Sequence, residues 1–156
     1  MKLLKKKLFS ISLLLLFIPS IFIGCVKKLD YSEISSYSDE VLSTVLTALS
    51  NNDYNTFSKH LSDDMKESYD YGTFQKESAL LITTVGVFES LEFDYGEKRN
   101  GYNFAIYNTK FSDEEEEVRV SVAFKEEDEN HKVYELYLSS DKLEKARSEE
   151  HTSELQ

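Results

Sequence analysis

Hydrophobic and polar positions divide the chain into three regimes. Residues Leu8 to Ile23 form an almost unbroken apolar run behind Lys2, Lys5, Lys6 and Lys7. Between Val41 and Val85 apolar residues return every three or four positions, the period of a helix with one buried face. From Val87 to Leu138 they alternate with polar residues, the period of a half-buried strand. The order predicts helices first and strands afterwards.

In the helical regime Ser38 is placed to cap the first helix, Asp39 and Glu40 suit the positive end of its dipole, and Tyr37 can staple onto Leu42. Val41, Leu42, Val45, Leu46, Ala48 and Leu49 then share a face. Asn51-Asn52 ends the helix, and Asp53 caps a short second one carrying Tyr54, Phe57 and Leu61. Ser62 caps a third with Met65 and Tyr69, Gly72 ends it, and Thr73 opens a fourth carrying Phe74, Leu81 and Val85, with Gly86 as a left-handed cap. Asp63 and Asp64 would point about 100° apart on a helix. They read as dipole complements, not as an acid and base pair.

In the alternating regime Leu91, Phe93 and Tyr95 fall on one face of a strand, and Asn100-Gly101 suits a type I′ turn into Tyr102, Phe104 and Ile106. Val118, Val120, Val122 and Phe124 alternate with Arg119, Ser121 and Ala123, and a last strand reads Val133 to Leu138. The sum is an α+β fold in which N-terminal helices pack on a curved four-stranded antiparallel sheet.

The opening segment has a basic head, an apolar middle and a small residue before a cut, the three parts of an export signal. It stops at Gly24-Cys25, and Cys25 is the only cysteine in the chain. Phe22-Ile23-Gly24-Cys25 resembles the signal of bacterial lipoproteins, in which such a cysteine takes a diacylglycerol on its thiol; Phe22 stands where leucine is usual. The resemblance implies a signal peptide over residues 1–24 and a protein anchored, outside the cytoplasm, to the outer face of the bacterial cell membrane through diacylglycerol on Cys25. Two plainer readings compete. An uncleaved span needs roughly 17–25 apolar residues, and Ser10, Ser12, Pro19 and Ser20 interrupt this run. An ordinary buried cysteine would leave the preceding pattern without a cause.

Residues 25–37 read as a tether, able to reach roughly 40 Å when extended, with Lys27 and Lys28 beside the headgroups. The folded domain is expected over 38–141 and a tail over 142–146. Residues Arg147 to Gln156 match one reading frame of a common sequencing adapter, so 147–156 is expected to be an artefact and not part of the fold.

Charge narrows the partners. The chain carries −11; setting aside the four leader lysines and the net −2 of the last ten residues leaves −13 for residues 25–146. Such a balance disfavours nucleic acid, whose binding needs clustered cations, and anionic headgroups, so attachment rests on acyl chains. With Cys25 acylated, no thiol remains for a disulfide, zinc or nucleophilic attack.

The stretch Ala48 to Lys66, with its Asn-Asp-Tyr…Phe…Leu-Ser-Asp-Asp-Met pattern, followed by Val85-Gly-Val-Phe-Glu-Ser90, resembles a domain of bacterial surface lipoproteins with the nuclear-transport-factor-2-like, or cystatin-like, cone fold. The similarity spans about Asp39 to Leu138. It implies a long helix lying in a strongly bent sheet, with a pocket at the open end. Tyr54, Phe57, Tyr69, Phe93, Tyr95 and Phe104 are the expected lining. With ten tyrosines, ten phenylalanines and no tryptophan, the same rings must also fill much of the core.

Folds of this kind include ketosteroid isomerase, which pairs a carboxylate with a tyrosine in an apolar pocket. Asp70 and Asp94 are the acids to weigh, and Asp94 alternates away from Leu91, Phe93 and Tyr95, so no catalytic residue is assigned. His60 and His131 lack ligand spacing. The acidic runs Asp113 to Glu117 and Glu126 to Glu129 lack the alternation and glycine of a calcium loop, so neither metal nor cofactor is assigned.

Three functions remain. The preferred one is a non-catalytic, membrane-tethered domain holding a small apolar or peptide ligand in its cone. A second is an interaction module whose outer sheet face (Tyr107, Thr109, Arg119, Ser121, Glu135) pairs with a second copy, as a homodimer, or with an envelope protein. A third is an isomerase-like or hydratase-like enzyme, which needs a carboxylate inside the pocket.

Overall fold

A computed structural model describes residues 26–153. The leader and Cys25, with the signal and anchor expected there, lie outside the described residues. The first element is a strand, β1 (Lys27–Leu29), antiparallel to β2 (Phe88–Arg99) with Lys27 opposite Lys98 and Leu29 opposite Gly96. A side chain on residue 96 would put its Cβ 3.0 Å from that of Leu29, so Gly96 lets the two backbones close over the buried leucine.

The long helix α1 (Tyr31–Ser50) starts seven residues before the predicted cap. Asp30 takes the N-cap position, and its backbone N–H donates to the Glu33 carboxylate at 3.1 Å, satisfying one of the donors a helix start leaves free. Ser38 is not a cap. It lies in the buried stripe between Ile34 and Leu42, one turn from each. The segment expected to be a tether is therefore β1 plus two turns of α1.

Three short helices follow. In α2 (Tyr54–Lys59) the Asp53 carboxylate accepts from Thr56 N, and in α3 (Asp63–Ser68) the Ser62 hydroxyl accepts from Met65 N, as the sequence predicts. In α4 (Tyr71–Thr84) the cap is Asp70, which accepts from Thr73 N at 2.8 Å, so the helix starts two residues earlier than expected and Gly72 lies in its first turn. That hydrogen bond holds the Asp70 carboxyl below the usual carboxylate range. Asp70 is a helix cap, not a pocket acid.

β2, β3 (Tyr102–Phe111), β4 (Val118–Lys125) and β5 (Val133–Ser139) form the predicted meander, with Asn100 and Gly101 both at positive φ in the β2–β3 turn. The sheet has five strands in the order β1-β2-β3-β4-β5, not four, and is not strongly curled. Three residues are too few for β1 to show an alternation, which is why sequence periodicity misses it. The helix α5 (Asp141–Ser153) covers the expected tail and runs on into the adapter-like segment. Leu143 is 1% exposed, and Arg147 donates to the Leu138 carbonyl at 2.8 Å.

The core lies between the helices and one sheet face. Leu42, Val45, Leu46 and Leu49 of α1 belong to one buried cluster with Val118, Val120, Val122 and Phe124 of β4. The predicted α+β layering and the β4 alternation both hold.

Candidate functional site

Of the six rings expected at the mouth of a cone, Phe57 lies in the core and Tyr54, Tyr69 and Phe93 pack against it. Phe57 is fully buried, with its ring 4.9 Å from Phe74 and 5.2 Å from Tyr69, and Tyr54 meets Phe74 at 5.3 Å. The space left beside Tyr69, under Leu80, Leu138 and Leu143, is about 20 Å³. That admits about one water and no ligand. Around this space Tyr54, Phe57 and Tyr69 pack on one another and on Phe74.

The remaining two rings lie on the opposite face, and a bulge explains one of them. Phe93 pairs with Tyr107, but Tyr95 pairs with Ile106, leaving Asp94 without a partner in β3. One extra residue reverses the side-chain parity, so Phe93 stays on the helix side while Tyr95 turns outward and is 38% exposed. Asp94 makes an ion pair with Arg119 of β4. In β3 the predicted face is inverted. Tyr107 and Thr109 point into the core, whereas Phe104 and Ile106 form a separate outer cluster with Ala123, edged by Tyr102. Phe104, Ala105, Ile106 and Tyr107 are all buried, so hydrophobicity alone could not choose between the faces.

On this outer face Asp64, Arg99, Asn100, Tyr102, Phe104, Ala123, Tyr134 and Glu135 line a cleft of about 360 Å³. A second bulge shapes it: Ala123 pairs with Glu135 and Phe124 with Val133, which leaves Tyr134 out of register. The Tyr134 ring meets Tyr102 edge-on at 5.6 Å, and Tyr102 meets Phe104 at 6.4 Å. The Arg99 guanidinium lies 4.0 Å from the centre of the Phe104 ring, a cation–π contact. Desolvation first, then the charge of Asp128, pushes the Tyr134 phenol above its usual range. Tyr102 and Tyr134 are the site residues that sequence reasoning missed. A tyrosine directly after the I′ turn was the available signal for the first, and none marked the second.

A second groove, of about 380 Å³, is lined by Tyr31, Asp39, Leu91, Glu92 and Phe93. The Asp39 carboxylate accepts from the Tyr31 hydroxyl at 2.5 Å and from the Tyr107 hydroxyl at 2.6 Å, one phenol on each oxygen. With its proton directed to Asp39, Tyr107 accepts from Ser38 Oγ at 2.5 Å. Sequence reasoning assigned Asp39 to the helix dipole; its position on the side of α1 facing β3 gives it this second use.

Burial first, then the bond to Asp39, raises the Tyr107 phenol above its usual range, and burial with Glu77 nearby raises Tyr69. The ordinary phenol value is about 10. A folded value above the unfolded one means that this contribution to stability is complete below about pH 10 and is lost as pH rises further. With no tryptophan in the chain, phenolate absorbance can follow this directly. The expected result is that these two tyrosines ionise only as circular dichroism reports unfolding; full ionisation of all ten with the fold intact would contradict it.

Among the described residues no group of three or more His, Cys, Asp or Glu side chains is arranged to hold a metal ion. His131 stacks on Tyr37 at 3.8 Å, and burial lowers the His60 imidazole. No described helix is long and apolar enough to cross a membrane. Comparison with known proteins returned no matching family model, curated protein or solved structure.

Proposed function

We propose that the protein is a membrane-tethered extracytoplasmic lipoprotein whose domain is a non-catalytic binding module, acting through the outer face of its sheet. The observation that carries the binding reading is the aromatic cleft beside Arg99, on the outer face of the sheet. The anchor reading rests on the lysine-led apolar run that stops at Gly24-Cys25. The helices-then-meander order supports a domain similar to the nuclear-transport-factor-2-like family.

On this reading the anchor is short. Only Val26 separates Cys25 from β1, so the lipidated residue lies within about 8 Å of Lys27. The end of the sheet bearing Lys27, Lys98 and the Asn100-Gly101 turn then faces the headgroups, with the cleft opening beside it. Exposed Tyr95 and Tyr137 on the same face favour a homodimer or an envelope-protein contact as a second reading. A catalytic reading is less well supported, because both oxygens of Asp39 already accept phenol hydrogen bonds.

The test is intact and native mass spectrometry of the full chain purified from the membranes of its own host. The expected result is a diacylglycerol mass on Cys25, lost with Cys25→Ser together with membrane association, and a retained ligand or second subunit lost with Tyr102→Ala. An unmodified protein in the soluble fraction would overturn the anchor. An acylated monomer that retains nothing would overturn the binding reading.

A further inference from the structure

We propose that the outer-face cleft is a receptor for a small organic cation, a solute carrying a primary or quaternary ammonium group. This rests on the binding reading above and names the ligand class.

The cleft brings together the two chemistries that hold such a group. Tyr102, Phe104 and Tyr134 supply three ring faces and edges, and Asp64 and Glu135 supply two carboxylates. An ammonium group is attracted to the negative face of an aromatic ring, and more strongly once partly desolvated. Nearby carboxylates add Coulombic attraction without demanding a fixed hydrogen-bond geometry.

The molecule already uses part of the surface in this way. The Arg99 guanidinium occupies the Phe104 ring, which shows that a cation fits against these rings and leaves Tyr102 and Tyr134 as the open half. Two carboxylates against one guanidinium give the lining a net charge of −1. Neither Asp64 nor Glu135 has an ion-pair partner among the described residues.

The surroundings reinforce the sign. The β4–β5 turn beside Tyr134 carries Glu126, Glu127, Asp128 and Glu129, and its Glu126 N–H donates to the Gly101 carbonyl at 2.9 Å, which fixes that acidic turn next to the cleft. A volume of about 360 Å³ is at the small end of ligand sites. It suits a free solute of a few heavy atoms better than a peptide strand or an acyl chain.

The shape depends on features that a merely buried cluster would not need. Tyr134 reaches the cleft only because it is the bulged residue of β5, and Tyr102 because it directly follows the tight turn at Asn100-Gly101. Tyr102 packs against the apolar outer cluster, Tyr134 packs against Tyr102, and both are half-buried.

The experiment is a calorimetric titration of the full acylated chain in maltoside micelles at constant ionic strength. The probes are choline chloride and its uncharged carbon isostere, 3,3-dimethylbutan-1-ol. Saturable choline binding is expected, at least about tenfold tighter than the isostere, since cation–π and carboxylate attraction both require the charge. Tyr134→Ala should weaken choline about tenfold, and Glu135→Gln, an exposed substitution that leaves the core untouched, by about threefold. No saturable choline signal, or equal affinity for the two probes, overturns the proposal. Loss of choline binding with Glu135→Gln and no change with Tyr134→Ala overturns the aromatic part of it. A ligand that native mass spectrometry finds retained while choline fails to bind would leave the binding reading standing and remove the cation.

Discussion

Phe57→Ala is expected to cost about 3–5 kcal/mol of folding stability. Phe57 is 0% exposed and lies within ring-contact distance of both Phe74 and Tyr69. These neighbours come from α3's C-cap and α4, so the ring ties three short helices together. Helices of six residues, such as α2 and α3, are too short to be stable alone. Without Phe57 the cavity cannot collapse cheaply, because Leu61, Phe74 and Leu46 are themselves held by the sheet and α1. A melting temperature lower by roughly 10–20 °C follows for a domain of this size. Calorimetry of the variant checks it, and a fall of only a few degrees would mean that the cluster is looser than its geometry.

Gly86→Ala is the second. Gly86 has φ +85°, in the left-handed region, and a Cβ there would lie 2.2 Å from Ser112 Oγ and 2.8 Å from Asp113 N. The site is a junction. Asp113 N donates to the Val85 carbonyl at 2.9 Å, Ser112 N donates to the Val87 carbonyl at 2.9 Å, and Val87 N donates to Ser112 Oγ at 3.1 Å. These bonds dock the β3–β4 loop onto the end of α4. An alanine must move that loop, so strain of about 1–3 kcal/mol adds to weakened hydrogen bonds of about 1 kcal/mol each. The expected total is about 3–5 kcal/mol in urea unfolding.

Two controls separate the causes. Gly101→Ala has positive φ, +80°, but meets nothing within 4 Å, so it should show the strain alone, about 1–2 kcal/mol. Gly72→Ala lies in the first turn of α4 with Asp70 Oδ1 no nearer than 3.5 Å, and should be neutral or stabilising by up to about 1 kcal/mol. Equal losses at residues 86 and 101 would remove the clash from the account.

Helix starts show how far local reading reaches. Asp53 and Ser62 cap the helices predicted for them because a side-chain oxygen three residues before a free N–H is a contact within one turn. The same rule chose Ser38 wrongly. Asp30 with Glu33 is an equally good local start, and what puts Ser38 inside is Tyr107, 69 residues away, whose hydroxyl receives its hydrogen bond.

The sequence by itself determined the layering, helices followed by an antiparallel meander, the type I′ turn at Asn100-Gly101, and the inward face of β4, where valines leave one choice of parity. Each depends on a period or a turn contained in a few neighbouring residues. Only the tertiary structure decided that the expected tether joins the sheet, that Phe57 packs between Phe74 and Tyr69, and which rings face outward. Those outcomes turn on single-residue events, the bulges at Asp94 and Tyr134 and the three-residue pairing of β1. A one-residue change in register moves every later side chain to the other face, and it is stabilised by partners distant in sequence, so no window of the chain contains it. The outer cleft is one result: Tyr134, the bulged residue of β5, meets Tyr102 at the end of β3 beside Arg99.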